Sequence, residues 1–216
     1  MTVRDRERWN EKHAKCEAPF AVEPDEWLVQ ALQLIENACS TMEPGQRALD
    51  IACGLGHNAI WLAQQGWRSD GVDISARGLE LARQSATVNG VDVAWIEADL
   101  DDWIPACDEY DLVIVFRFLD RETVPRVVRS ALRPGGWLVY ETFAAAQCSR
   151  PDSHISNPAF TLAPGELSTL FPEFDVVASR EEVLHDRTVQ QFLARRQLAD
   201  NDAASASSSL RIGVEM

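Results

Sequence analysis

Two glycines one residue apart follow a short apolar run in Arg47-Ala48-Leu49-Asp50-Ile51-Ala52-Cys53-Gly54-Leu55-Gly56-His57, and a helical pattern opens straight after them. Strand, tight turn and helix start in that order make a cradle for a ligand. Gly54 and Gly56 let it lie against main chain where a Cβ would stand in the way. The first turn of the helix adds free N–H groups and a partial positive charge. The spacing Gly54-x-Gly56-x-x-Ala59 also fits a dinucleotide fingerprint, and Asp50, four residues before Gly54, separates the readings. A carboxylate at that strand end would repel a pyrophosphate and attract a ligand carrying an ammonium and a sulfonium. Two more acids close later strands. Asp73, in Ser69-Asp70-Gly71-Val72-Asp73-Ile74-Ser75, is suited to accept hydrogen bonds from both hydroxyls of a ribose. Asp99, in Glu97-Ala98-Asp99-Leu100, stands where an adenine amino group would meet it.

These acids need parallel strands to hold them. The first strand spans 48–52, and its helix runs to about Gln65 with Gly66 as cap. Ser75 caps a helix with Leu79, Ala82 and Ala86 on its apolar side, ended by Asn89-Gly90. Val93 and Trp95 mark a third strand, Tyr110 to Phe116 a fourth, and Leu132-Arg133-Pro134-Gly135-Gly136 leads into a fifth ending at Glu141. Strand alternating with helix implies parallel strands with right-handed crossovers and a ligand at their carboxyl ends. Upstream, Trp27, Leu28, Ala31, Leu32, Ile35, Ala38, Cys39 and Met42 predict a core-packing helix over 25–42, started by Pro24-Asp25-Glu26. Downstream, a short helix over 165–171 precedes alternating strands at Phe174 to Ser179 and Val189 to Arg195, joined around Asp186-Arg187. Residues 143–165, with several prolines and no helical period, read as a functional loop.

The succession Asp50-x-x-x-Gly54-x-Gly56, strand-end Asp73, Ala98-Asp99-Leu100, Tyr110-Asp111-x-Val113 and Leu132-x-Pro134-Gly135-Gly136 resembles the class I S-adenosylmethionine-dependent methyltransferases from about residue 44 to 142, more weakly to about 196. The chain looks like their small-molecule branch, which contains tellurite-resistance-type and thiopurine-type enzymes. The resemblance implies an α/β fold: a doubly wound, mainly parallel seven-stranded Rossmann-like sheet with an antiparallel C-terminal edge strand. It implies one domain over 1–198, with a lid and helix in 1–43, a cofactor-binding core in 44–142 and a substrate-side loop and C-terminal strands in 143–198. The cofactor it implies is S-adenosyl-L-methionine. Trp9 would cover it from the lid. Asp50, Ala52, Gly54 and Gly56 would take the methionine part, Asp73 and Ile74 the ribose, Asp99 and Leu100 the adenine, and Phe116 the inner face.

The 216 residues suffice for one domain with a substantial core. A formal charge of −14 argues against nucleic acid as partner. Five scattered cysteines read as reduced thiols of a cytoplasmic protein, and neither a signal peptide nor a membrane span is expected. A monomer or homodimer is expected, and residues 199–216 read as a disordered tail. No metal-ligand spacing occurs.

Methyl transfer from a sulfonium needs alignment and exclusion of water more than acid–base help. The catalytic residues are therefore not fixed by the sequence. Arg117, Asp120, His154 and Asn157 are substrate-side candidates, with Arg117 and Arg121 able to hold an anionic acceptor bidentately. The acceptor expected is a small molecule, a thiol or chalcogen oxyanion among the options. A nicotinamide-dependent oxidoreductase and a non-catalytic S-adenosylmethionine-binding module are the rivals.

Overall fold

The chain was analysed as a computed structural model, which describes residues 3–18, 22–38 and 45–198. The expected tail and the helix positions Cys39 and Met42 lie outside these residues.

The central strands are apolar on both faces, as strands covered on two sides must be. In β1 (Arg47–Ile51) only the first residue is not buried, and in β4 (Tyr110–Phe116) every residue is buried. They pair in parallel with each other, β1 also with β2 (Arg68–Asp73), β2 with β3 (Val93–Glu97), and β4 with β5 (Leu132–Phe143). β7 (Thr188–Arg196) runs antiparallel between β5 and the edge strand β6 (Phe174–Val183), giving the seven-stranded order β3-β2-β1-β4-β5-β7-β6. The expected doubly wound sheet with its antiparallel C-terminal pair is thus present. The order reverses between β1 and β4, the place where a ligand crevice opens in such sheets.

Helices cover both faces. On one, α2 (Glu26–Ala38) sets Trp27, Leu28, Ala31 and Ile35 against Leu112, Ile114, Val139 and Leu193. On the other, α5 (Thr123–Ala131) and α6 (Glu166–Leu170) pack on Leu49, Val113, Val115, Leu138 and Tyr140. Side chains alternate along a strand, so the α2-facing positions can be followed upward. Trp137 and Val139 are followed by Glu141 on β5, and Leu193 gives way to Gln191 on β7. The sheet turns from apolar to polar at one level, near the carboxyl ends of β1, β4 and β5.

α3 (His57–Gln64) and α4 (Ala76–Val88) follow the glycine turn and β2, and α1 (Val3–His13) lies against α4. Ser75 caps α4 through its hydroxyl, which accepts from Gly78 N–H at 3.0 Å. Residues 144–165 contain two short 3-10 turns and a bridge between Ala144 and Leu162.

Gly56 and Gly71 both yield space to the Trp95 ring. A Cβ would stand 2.2 Å from Trp95 Cη2 at Gly56, and 2.7 Å from Trp95 Cζ3 at Gly71. Gly71→Ala, on unstrained backbone, is expected to destabilise by about 1–3 kcal/mol through overpacking. In a Trp95→Leu background most of that cost should vanish. Equal losses in both backgrounds, read by urea melts, would show that the ring is not what crowds the site.

Candidate functional site

Trp9, Ala52, Gly54, Asp73, Ile74 and Leu100, all expected around a cofactor, line one cavity of about 60 Å³ together with His13, Arg117 and Phe118. Its floor is the turn after β1, and its roof is α1. Ala52 has φ 56° and Arg117 φ 55°, so two of the three described non-glycine residues in left-handed backbone face this space. Such strain, of order 1–3 kcal/mol each, is held only where surrounding contacts enforce it. At Arg117 the enforcing contacts are its own N–H, which donates to Glu141 O at 2.8 Å, and the guanidinium described below.

Asp73 organises the floor. Its two carboxylate oxygens accept from Gly54 N and Ser75 N, both at 2.8 Å. Burial pushes its pKa up, and the N–H groups of Ser75 and Gly54 oppose that rise. Asp50 lies behind the turn, almost wholly buried, and takes the Ala59 N–H at the start of α3. Burial raises its pKa well above the carboxylate range, with Asp25 adding to the rise and Arg117 opposing it. A cation brought to this side would stabilise the ionised form.

The roof hangs on one hydroxyl. Ser75 Oγ donates to Asn10 Oδ1 at 2.9 Å and lies 2.9 Å from His13 Nδ1, and Asn10 Oδ1 also accepts from Arg77 N at 3.1 Å. His13 is buried, which pushes its pKa down, and its ring sits over Gly54 and Gly78. The Trp9 ring lies 5.7 Å from that of His13, with Lys12 Nζ 4.3 Å from its centroid. Sites for small organic ligands run from roughly 300 Å³ upward, several times the volume of this cavity.

Beside the cavity stands a buried ion-pair cluster. Asp25 receives Arg117 Nη1, Asn58 Nδ2 at 2.9 Å and, at 3.5 Å, Arg187 Nη2. His57 Nε2 lies 3.0 Å from Asp25 Oδ2 and 3.1 Å from Arg117 Nη2. Burial would raise the Asp25 pKa, but hydrogen bonds from His57 and Arg117 outweigh it and hold the carboxyl well below its usual range. Arg117 shows the mirror image: burial opposes its charge, and Asp25 more than restores it.

The other expected positions fall elsewhere. Gly56 is packed under Trp95, and Phe116 belongs to the α2-side core. Asp99, half-buried, accepts from Asp101 N at 3.1 Å and ends β3 in a turn. Asp120 accepts from Glu122 N and Thr123 N, at 3.0 and 2.7 Å, at the start of α5. Exposed Asn157 caps a 3-10 turn through Ala159 N, and exposed His154 meets Phe143 edge-on at 6.1 Å. Arg121 straps the long loop down through Glu166 at 2.5 Å and the carbonyls of Ala159 and Thr161 at 2.8 Å. His13 and His57, histidines that could serve as bases, and Phe118, expected beside Arg117 on the substrate side, all stand at or next to this cavity. Asp25 is the residue that sequence reasoning missed: it reads only as a helix start, and its pairing with the start of α3 carries no local signal.

A sheet that reverses at β1 and β4, with a glycine turn and strand-end acids at that point, defines the Rossmann-like fold of class I methyltransferases. Magnesium protoporphyrin IX methyltransferase from Synechocystis PCC 6803, solved with bound SAH, shares it: TM-score 0.64 over 90% of this chain and 95% of that one, at 17% identity. Residues 48–136 match the family model described as "Methyltransferase domain". A ubiquinone biosynthesis O-methyltransferase from Bordetella avium is 26% identical over 140 residues, 62% of this chain and 56% of that protein. Ribosomal RNA small subunit methyltransferase C from Alcanivorax borkumensis is 32% identical over 126 residues, 53% of this chain and 38% of its own length. The chain thus spans about half or less of these curated relatives. Among the described residues no helix is long and apolar enough to cross a membrane, and no group of three or more His, Cys, Asp or Glu is placed to hold a metal.

Asp25→Asn is expected to destabilise by about 3 kcal/mol near neutral pH, because Arg117 and Arg187 lose a buried counterion. A depressed carboxylate pKa contributes stability above the unfolded value near 3.9 and loses it as pH falls through the folded value. The gap between wild type and variant should therefore hold at pH 7 and 5 and narrow below about pH 4. Urea melts at three pH values test this, and a gap independent of pH would assign the loss to shape rather than charge.

Proposed function

We propose that the chain transfers the methyl group of S-adenosyl-L-methionine to a small-molecule acceptor. The reading is carried by the gathering of Trp9, Ala52, Gly54, Asp73, Ile74 and Leu100 around one cavity at the strand-order reversal. When bound, the cofactor supplies an electrophilic methyl on a sulfonium. Asp73 would take the ribose diol, exchanging one or both of its backbone N–H partners for hydroxyls, and the main chain at Ala52 to Gly54 would lie along the methionine part. Asp50, whose pKa burial raises, would answer the ligand's positive charge from behind the turn by ionising more readily beside it. α1 acts as the lid: its movement admits the cofactor, and its return excludes water from the reacting carbon.

Arg117 is committed to Asp25 and His57, which weakens its case as a clamp for an oxyanion and favours its use as a wall between cofactor and acceptor. Within the small-molecule branch, the tellurite-type or thiopurine-type placement therefore leans toward soft or neutral acceptors. One relative modifies ribosomal RNA by name, but the charge of −14 here favours a small acceptor over a polyanion. We assign the protein to the cytoplasm and to a monomeric or homodimeric state on the same footing.

Calorimetric titration with S-adenosylmethionine, S-adenosylhomocysteine and NADH side by side is the test. Micromolar binding of the first two and none of the third is expected, and NADH binding alone would replace the reading with an oxidoreductase. Asp73→Ala should weaken S-adenosylhomocysteine by about 1–3 kcal/mol through lost charge-assisted hydrogen bonds. An unchanged dissociation constant would remove Asp73 from the site.

A further inference from the structure

A second cavity, of about 590 Å³, opens between the first turns of α2 and the β6–β7 hairpin. It lies where the α2-facing side of the sheet turns polar, and only the ion-pair cluster separates it from the cofactor cavity. Arg117 lines the cofactor cavity and Arg187 lines this one, and both reach Asp25.

Two atoms in its lining stand out. Glu141 is 1% exposed, and its Oε2 accepts from Gln191 Nε2 at 2.8 Å, while Oε1 is buried with no hydrogen-bond partner. Arg187 Nε is buried and unpartnered as well, and lies 3.8 Å from Glu141 Oε1. That distance is too long for a hydrogen bond, yet one oxygen at about 2.9 Å from each atom would close the gap. A buried polar atom left unmatched carries its full desolvation cost, so a group satisfying both atoms recovers that cost twice.

The group must donate to Glu141 and accept from Arg187, and a hydroxyl does both. An ammonium has nothing to accept with, and a carboxylate has nothing to donate. Charge gives the same answer. An anion would face Glu26, Glu141, Glu182 and Asp186, while the two arginines are already engaged: Arg180 by Gln191 at 2.9 Å and Gln30 at 2.7 Å, Arg187 by Asp186 at 2.9 Å and by Asp25. We propose that this cavity is a second ligand site, distinct from the cofactor cavity, and takes a small neutral molecule anchored by a hydroxyl between Glu141 and Arg187. The proposal rests on this cavity alone and not on the methyl-transfer reading.

The test uses an isosteric series, benzyl alcohol, benzylamine and benzoate, titrated by saturation-transfer NMR into the full chain with and without S-adenosylhomocysteine. Benzyl alcohol is expected to bind, and to bind at least about tenfold more tightly than either charged analogue. Arg187→Met should weaken it by about tenfold while S-adenosylhomocysteine binds within about threefold of wild type. Glu141→Leu is the second variant, and if it fails to fold the arginine variant still decides. Preference for benzoate or benzylamine, no binding of benzyl alcohol, or equal affinity in Arg187→Met would each overturn the proposal, the last by showing a hydroxyl held elsewhere or a site filled by water alone. Failure of S-adenosylhomocysteine to bind would instead sink the methyl-transfer reading, while the alcohol series still judged the cavity.

Discussion

One carboxylate ties the upper half of the molecule together. Asp25 sits just ahead of α2, and its partners come from the start of α3, the end of β4 and the β6–β7 hairpin, up to 162 residues away in sequence. Charge neutralisation among buried groups is costly to assemble and more costly to break. Whatever moves one of these elements must therefore move the others or expose an unpaired ion. The cluster gives the sheet's carboxyl end a fixed frame next to which α1 is docked.

The frame also explains the backbone strain. Arg117 could relax from left-handed geometry if its guanidinium were free. Its amide is instead held by Glu141 O and its side chain by Asp25, so the tension is shared with the same cluster. Ala52, the other strained residue at this cavity, sits across it in the glycine turn, while Asp108, the third, lies elsewhere. Two of the three points of strain thus border the candidate site, where such strain tends to gather.

Much of this was legible from local signals. The glycine turn, Asp73 at the end of β2, the Ser75 cap and the Asn89-Gly90 stop each depend on neighbours a few residues away, and each stands where sequence reasoning placed it. The parallel direction of the first five strands followed from their alternation with helices. What escaped were long-range pairings: His13 with Ser75, Asp25 with Arg117, Glu141 beside Arg187. Gly56 is the instructive middle case. Its type and spacing are those of a ligand turn, yet the atoms that exclude a side chain there belong to Trp95 on β3. Sequence showed that a Cβ was unwelcome without showing what it would meet.

The hydroxyl of Ser75 carries a further consequence. It caps α4 and fastens α1 at once, so the roof of the cavity shares its anchor with the cap of a helix. Lifting the roof would leave the cap intact and break the Ser75 bonds to Asn10 and His13 and the Arg77 N–H bond to Asn10. For a ligand bound as proposed, the opening rate of α1 would set a ceiling on release, below which its contacts with the floor would decide how long it stays.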